Sequence, residues 1–361
     1  MGGGVVSREA IINELQFGDR DIRKAELEIA ALVQEKGISE EEATKEIIDG
    51  YRNLPNIRVI DFDAFKAHGE IPRLGFGASE QFPVAPSTNM TVPLNTIERA
   101  SAFIVFISQC WIAGWNGRNA QGEVVDQATV DEWRGYPHPD TKDNAKFKLE
   151  VQGIEKLRAV MAPGLKCYIW HDFSCMDQNG NPAGELKQLD KIVEMSDCIF
   201  TPMVDPTHEQ WQYPSVWLDY FVEYAAPRFN VGPYSYINRA WCRVEMLYAA
   251  NIPLRAESQN MAFSAGLKTA VINNLRPHYL YGDKEMAELM SPIQLPPLAN
   301  SHLESLSPVA SIANLTAASD ATKIHALIEE LQPYLKQVKE GYEGDFKDDK
   351  YHGKGKYTFA S

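Results

Sequence analysis

Three short apolar runs constrain the fold of this chain more than any other feature. The runs are AFIVFIS from Ala102, CYIWHDF from Cys167 and CIFTPMV from Cys198. Each run is continuously apolar and is followed by polar residues, as expected for a strand that is buried on both faces of a sheet. The sequence therefore predicts strands that helices cover on both sides.

The segments between these runs have the periodicity of amphipathic helices. Apolar residues recur at helical spacing in both connections, at Phe147, Val151, Ile154, Leu157 and Met161 and then at Leu186, Leu189 and Val193. This alternation predicts an α/β fold, with a parallel sheet flanked by helices and joined by right-handed crossovers. Such sheets hold their sites at the carboxyl ends of the strands. Here those ends are predicted at 108–111, 172–175 and 202–205, and RPHYLYG (276–282) is a candidate fourth strand.

The remaining segments have distinct patterns. Ser7 is a candidate helix cap, and Ser39 with Glu42 forms a capping box that opens another helix. This arm either packs on the main domain or binds a partner. The predicted organisation is a helical arm at 1–56, an extended proline-rich lead-in at 57–100, an α/β domain at 101–300 with insertions at 112–139 and 205–236, a linker and helix at 301–340, and a repeat at 341–361.

Composition excludes several classes of function. The net charge of −14 disfavours nucleic acid as a partner, because an acidic surface repels phosphate. Five scattered cysteines without a C-x-x-C pair argue against disulfides and zinc and predict a reducing, cytoplasmic location. The histidines have no metal-ligand spacing, no glycine-rich phosphate motif follows a strand, and no apolar run approaches the roughly 20 residues of a membrane span. We therefore expect neither a metal nor a bound cofactor.

The segment YINRAWCRVEMLYAANIP (236–253) predicts a helix that Asn238 caps and Pro253 limits. On a helical wheel Glu245 falls on the apolar face between Trp241 and Ala249, with Arg243 on the opposite side. A carboxylate on a buried face must be paired or hydrogen-bonded. Glu245 is therefore either a structural group or a site residue.

Several short motifs occur here in an order that resembles the TIR domain family over about residues 100–255. The motif residues are Phe106-Ile107-Ser108 after the first strand, Asp172 after the second, and Trp241-Cys242-Arg243-Val244-Glu245 on the later helix, and Asp140-Thr141-Lys142 is loosely similar to the first loop of the family. Gln109 and Cys110 depart from the His and Arg of the most similar branch, and the 112–139 insertion is unusual.

The resemblance implies a flavodoxin-like (TIR-like) fold and an NAD-cleaving signalling or defence enzyme. The family's catalytic glutamate carries over to Glu245, and Ser108, Trp111, Asp172 and Trp241 are candidate substrate-binding residues. NAD, or a related nucleotide, would be the substrate of this NAD glycohydrolase, and self-association is expected because many members of the family require it.

Two other functions stay open. A catalytically inactive TIR-like adaptor would keep Glu245 as a structural group. A nucleoside deoxyribosyltransferase-like enzyme shares the fold class and a mechanism centred on a glutamate, and it would act on nucleosides and ignore NAD.

The last twenty residues, YEGDFKDDKYHGKGKYTFAS, resemble a MORN repeat. The matching residues are Tyr342, Gly344, Phe346, His352, Gly353, Gly355, Tyr357 and Phe359. Such a unit is expected to form a short β-hairpin, which cannot bury its apolar face alone. The resemblance implies a scaffolding role, as a tether to a protein or a membrane.

Overall fold

A computed structural model describes residues 19–52, 56–75, 90–109, 111–112, 124, 126–131, 134–178, 183–202, 240–266, 276–281, 293–295, 320–340, 342–347 and 350–357. The predicted caps Ser7 and Asn238, residue Cys110, the insertion at 205–236 and part of the insertion at 112–139 lie outside these ranges. The chain divides into two compact units, residues 1–56 and 57–361. Among the helices in the described ranges, none has both the length and the apolar character that crossing a membrane requires.

The first unit contains a pair of helices, α1 (Asp19–Lys36) and α2 (Glu40–Arg52). Their shared core is small and consists of Ala25, Ile29, Ala43 and Ile48. The predicted capping box opens α2, since the Glu42 amide donates to Ser39 Oγ (3.2 Å) and the Ser39 amide donates to Glu42 Oε2 (3.0 Å). This reciprocal pair satisfies two amides that a helix start would otherwise leave unpaired.

The second unit is built on a seven-stranded sheet in the order β2-β1-β4-β3-β5-β6-β7. Its strands are β1 (Arg58–Asp61), β2 (Thr91–Pro93), β3 (Ala102–Ile107), β4 (Lys166–His171), β5 (Cys198–Pro202), β6 (His278–Tyr281) and β7 (Ile293–Leu295). Its helices are α3 (Phe62–His68), α4 (Gln127–Asp131), α5 (Ala145–Met161), α6 (Asp172–Cys175), α7 (Ala183–Leu186), α8 (Leu189–Met195), α9 (Ala240–Asn251), α10 (Ala256–Ser264) and α11 (Asp320–Glu340). Two further strands, β8 (Tyr342–Lys347) and β9 (Lys350–Tyr357), form a separate hairpin.

The four central strands are parallel, as the sequence predicts. Strand β3 pairs with β4 on one side and β5 on the other, and β5 pairs with β6. All six residues of β3 are buried, which explains its continuous apolar run. The predicted fourth strand is confirmed as β6.

The segment 57–100 differs from the predicted extended lead-in. It supplies β1, α3 and β2, and β1 joins the sheet antiparallel to β4. Of the prolines that suggested a loop, Pro72 and Pro93 lie in the described ranges, and neither interrupts the ladder. Pro93 ends β2, which is the edge strand, where a missing amide hydrogen is tolerated.

The crossover helix α5 packs closely on the sheet at one glycine. A Cβ atom at Gly153 would lie 2.4 Å from Phe200 Cζ on β5 and 3.0 Å from Tyr281 Cγ on β6. Only a residue without a side chain lets the helix approach this near. The helix and strands therefore share one core, which continues to α9 and α11 through Tyr248, Ile324, Leu327 and Leu331.

The helix predicted within 301–340 is present as α11, and the structure shows in addition that it is part of this core. The Tyr248 hydroxyl of α9 donates to the Leu327 carbonyl of α11 (2.9 Å), and both groups are buried. This contact fixes α9, the helix that carries Glu245.

Candidate functional site

The candidate site lies at the point where successive parallel strands are added to opposite sides of the sheet. The chain passes from β3 to β4 on one side and then returns to β5 on the other side of β3. Sites in open α/β sheets lie at such a switch point, beside the carboxyl ends of the strands. Ser108 follows β3 directly, and its amide donates to the Phe200 carbonyl of β5 (2.9 Å).

Glu245 reaches this point from α9. The Ser108 hydroxyl donates to Glu245 Oε2, and Ser108 itself is fully buried. The hydrogen bond joins residues that are 137 positions apart in the chain. The structure thus brings together the two residues whose motifs are separated by most of the predicted domain.

The surroundings of Glu245 correct the helical-wheel expectation. Arg243, predicted on the polar side, is buried at 6% exposure, as are the apolar residues on either side of it. Among the α9 side chains that the structure describes, only Trp241 and Glu245 are partly exposed. Because α9 is buried nearly all round, Glu245 lies on its most accessible face and not on a buried one.

Asp172 and Trp111 form a second contact at the same end of the sheet. The Trp111 indole nitrogen donates to Asp172 Oδ2 (2.7 Å), and Gln109 Nε2 donates to Asp172 Oδ1 (3.0 Å). The Phe173 amide also donates to Oδ1 (2.7 Å). Both oxygens of Asp172 therefore hold neighbouring groups in place, and about a third of the side chain remains exposed.

Trp241 has a different environment from the other predicted residues. Its indole nitrogen donates to Asp320 Oδ2 (3.2 Å) at the start of α11. Its neighbour Cys242 contacts the Gln109 carbonyl through Sγ (3.7 Å). The sulfur thus ties α9 to the loop after β3, while the indole ties α9 to α11.

Three further residues lie below the site and were not among the predicted site residues: Gln109, His171 and Glu150. His171 is fully buried, and its Nε2 lies 2.8 Å from Gln109 Nε2 and 3.5 Å from Glu150 Oε1. Glu150 is fully buried on α5, and burial raises the pKa of its carboxyl group. A signal for Glu150 was present in the sequence, because its position on the helical wheel of α5 falls between Ile154 and Leu157 on the apolar face.

The segment compared with the first TIR loop has a structural role here. Asp140 is fully buried and accepts hydrogen bonds from the amides of Lys146 (2.8 Å) and Phe147 (2.9 Å). These amides belong to the first turn of α5, where no intrahelical acceptor exists. Asp140 therefore caps α5 and sets its position beneath the site.

Comparison with known proteins identifies one part of the chain. Residues 342–361 match the MORN repeat family model. The predicted repeat is thereby confirmed, and the structure forms an antiparallel hairpin there, with Tyr342 opposite Tyr357 and Lys347 opposite Lys350. No curated protein and no solved structure matches the chain.

None of these comparisons supports a TIR-like domain, so that resemblance stays a prediction. In the described ranges there is no group of three or more His, Cys, Asp or Glu residues that could hold a metal ion.

Proposed function

We propose that the main unit is a TIR-like enzyme that cleaves the nicotinamide–ribose bond of NAD, with Glu245 as its catalytic carboxylate. The observation that carries this proposal is the Ser108–Glu245 hydrogen bond at the switch point, made by a partly exposed glutamate on a helix whose other described side chains, except Trp241, are buried. If the four parallel strands β3 to β6 are renumbered 1 to 4 along the chain, their order across the sheet is 2-1-3-4. This order agrees with the beginning of the flavodoxin-like order.

The chemistry needs only one carboxylate. Ordinary glycosidases use a second carboxyl group to protonate the leaving oxygen. In NAD the nicotinamide nitrogen is already cationic, so the electron pair of the breaking C–N bond neutralises it and no acid is needed. Glu245 would stabilise the positive charge that develops on the ribose. Water then adds to the ribose carbon and releases one proton.

The other predicted residues take roles that follow from their contacts. The buried Ser108 hydroxyl donates to Glu245 and so orients the carboxylate. Asp172 holds the Trp111 indole, whose ring meets Phe173 edge-on at 5.1 Å. In this proposal Trp111 contacts a flat ring of the substrate. Trp241, hydrogen-bonded to Asp320, is a positioning residue for α9 in this proposal.

The test is release of nicotinamide by purified protein at high concentration with a crowding agent, measured by chromatography. We expect Glu245→Gln and Glu245→Ala to lower the rate by about 10²- to 10³-fold, since the developing charge loses its partner. Glu257→Gln is the matched control, because Glu257 is a half-exposed carboxylate on the next helix, α10, that pairs with Arg255. It should leave the rate unchanged.

Two outcomes would favour the other functions. If deoxynucleosides lose their bases while NAD stays intact, the enzyme belongs with the nucleoside deoxyribosyltransferases. If the folded, assembled protein cleaves neither substrate, the adaptor function is the better one.

The MORN match favours a tethering role for the tail in either case. A single hairpin leaves an apolar face to be covered, so it is suited to a protein or membrane partner or to another copy of the chain. Removal of residues 342–361 should abolish such an association. It should leave the rate of nicotinamide release unchanged when the protein is not associated with a partner. Sedimentation of both forms, alone and with vesicles, distinguishes the partners.

A further inference from the structure

The buried polar groups beneath the site are incompletely hydrogen-bonded. In the described part of the chain, both carboxyl oxygens of Glu150 and the Oε1 atom of Gln109 are buried without a hydrogen-bond partner. Both residues contact the ring of His171, which is itself fully buried. Buried polar atoms left in this state are costly, and a role at the adjoining site is one explanation for them here.

The contacts of Gln109 determine which nitrogen of His171 carries a proton. Gln109 Nε2 lies 3.0 Å from Asp172 Oδ1, so the amide nitrogen faces the carboxylate, because the amide oxygen would face it as a second acceptor. The same nitrogen lies 2.8 Å from His171 Nε2 and 3.3 Å from His171 Nδ1, and we assign the nearer Nε2 as the acceptor, which carries no hydrogen. The proton of the neutral ring is on Nδ1, 3.4 Å from Asp172 Oδ1.

This tautomer fixes the state of Glu150. Glu150 Oε1 lies 3.5 Å from His171 Nε2, so an ionised carboxylate would face a nitrogen lone pair. A protonated carboxyl group removes that repulsion. Burial also favours the neutral form and is the main reason that the pKa of Glu150 is raised, and the nearby Asp140 carboxylate raises it further. Lys146 acts in the opposite direction, and His171 would do so only if its ring were charged.

We propose that Glu150 is a positioning residue, whose neutral carboxyl group keeps His171 in its Nδ1-protonated form and thereby holds Gln109, Asp172 and the Trp111 indole beside the Ser108–Glu245 pair. This inference extends the proposed function, since Trp111 is its substrate-facing ring. A charged His171 would carry a hydrogen on Nε2 and would have to displace the Gln109 amide.

The first measurement needs no substitution. Nitrogen NMR of the histidine rings, with His171 assigned by its absence in His171→Gln, should show Nε2 of His171 without a proton and Nδ1 with one. The Trp111 indole signal, assigned with Trp111→Phe, should show a hydrogen-bonded N–H. A doubly protonated His171 ring would overturn the proposal, whether or not the protein cleaves NAD.

Substitutions then test whether Glu150 acts through its shape and neutrality. Glu150→Gln is neutral and of the same size, so it should retain the tautomer, the indole signal and the rate of nicotinamide release. Glu150→Asp lacks one methylene, so we expect the indole signal to shift and the rate to fall by about 10²-fold, the cost of a misplacement of roughly 1 Å. Glu155→Gln, an exposed change on the same helix, is the control.

The two proposals fail in different ways. If no nicotinamide is released by the unsubstituted protein but the His171 and Trp111 signals are as expected, the proposed activity is wrong and the positioning role of Glu150 stands. If nicotinamide is released but Glu150→Asp leaves both the indole signal and the rate unchanged, the positioning role is wrong and the activity stands.

Discussion

The two ends of strand β3 use buried carboxylates in different ways. At the amino end, Asp197 accepts hydrogen bonds from the Ile104 amide (2.7 Å), from Arg99 (2.9 Å) and from the Ser258 hydroxyl (2.5 Å). At the carboxyl end, Glu150 has no hydrogen-bond donor on either of its buried oxygens. The first carboxylate is surrounded by donors, and the second faces a histidine ring at 3.5 Å.

This difference is the one expected between a structural polar network and the site that we propose. Hydrogen bonds around Asp197 connect the turn before β3, the strand itself and α10, so they stabilise the sheet from one end. Polar groups at the other end hold a partly exposed carboxylate and an indole in place without being fully paired. Parallel sheets place their sites at carboxyl ends, so unpaired carboxyl oxygens are expected there. At the amino end the Arg99 Nε atom is also buried without a partner, but both oxygens of Asp197 are paired.

The largest expected effect tests the amino end. Asp197→Ala should lower the free energy of unfolding by about 3–5 kcal/mol, because it leaves the Arg99 guanidinium buried without its partner. Urea denaturation measures this change. Asp172→Asn at the carboxyl end should cost no more than about 1.5 kcal/mol, since Asp172 is partly exposed and water can replace its lost contacts. If the two changes cost the same, the ends do not differ as we infer.

The sequence predicts most of the sheet and part of the site, for reasons that particular residues make clear. The apolar runs identify β3, β4 and β5 because those strands are buried on both faces. Strand β1 is missed since it has only four residues, of which Val59 and Ile60 are buried. The motif order selects Glu245 and Ser108, which meet through a hydrogen bond.

What the sequence does not predict depends on contacts between distant segments. Trp241 looks like a site residue until α11, 79 positions later, supplies Asp320 as its partner. Gln109 looks like a departure from a family motif, and its importance is visible only when His171 and Asp172 lie beside it. Helical periodicity cannot show which element covers each face of α9.

An intermediate effect concerns acid stability at both ends. Burial lowers the pKa of His138 and of His278 to about 3, from an ordinary value of 6.5. His138 packs on Phe173 after β4, with ring centroids 4.8 Å apart, whereas His278 begins β6. Each ring stays neutral in the folded state while it gains a proton in the unfolded state below pH 6.5. Stability is therefore lost as the pH falls from 6.5 towards 3.

The slope of this loss can be assigned to single residues. Each histidine should remove about 1.4 kcal/mol of unfolding free energy per pH unit well below 6.5. His138→Asn and His278→Asn should each flatten the pH dependence of unfolding by that amount, and the double variant by twice as much. The control is Asn251→Ala, a buried neutral residue, which should shift the curve without changing its slope. An unchanged slope in either histidine variant would show that its ring is already charged in the folded protein.

The smallest expected effect tests the carboxyl end directly. Ser108→Ala removes the hydroxyl that donates to Glu245, and it should change the unfolding free energy by only about 0.5–1.5 kcal/mol, because the partly exposed carboxylate can accept from water instead. If the hydroxyl serves to orient Glu245, the same substitution should lower nicotinamide release far more than it lowers stability. A loss of stability comparable to that of Asp197→Ala would mean that the Ser108–Glu245 pair is a structural network like the one at the other end. In that case Glu245 would be a structural carboxylate, and the adaptor function would gain support over the enzyme.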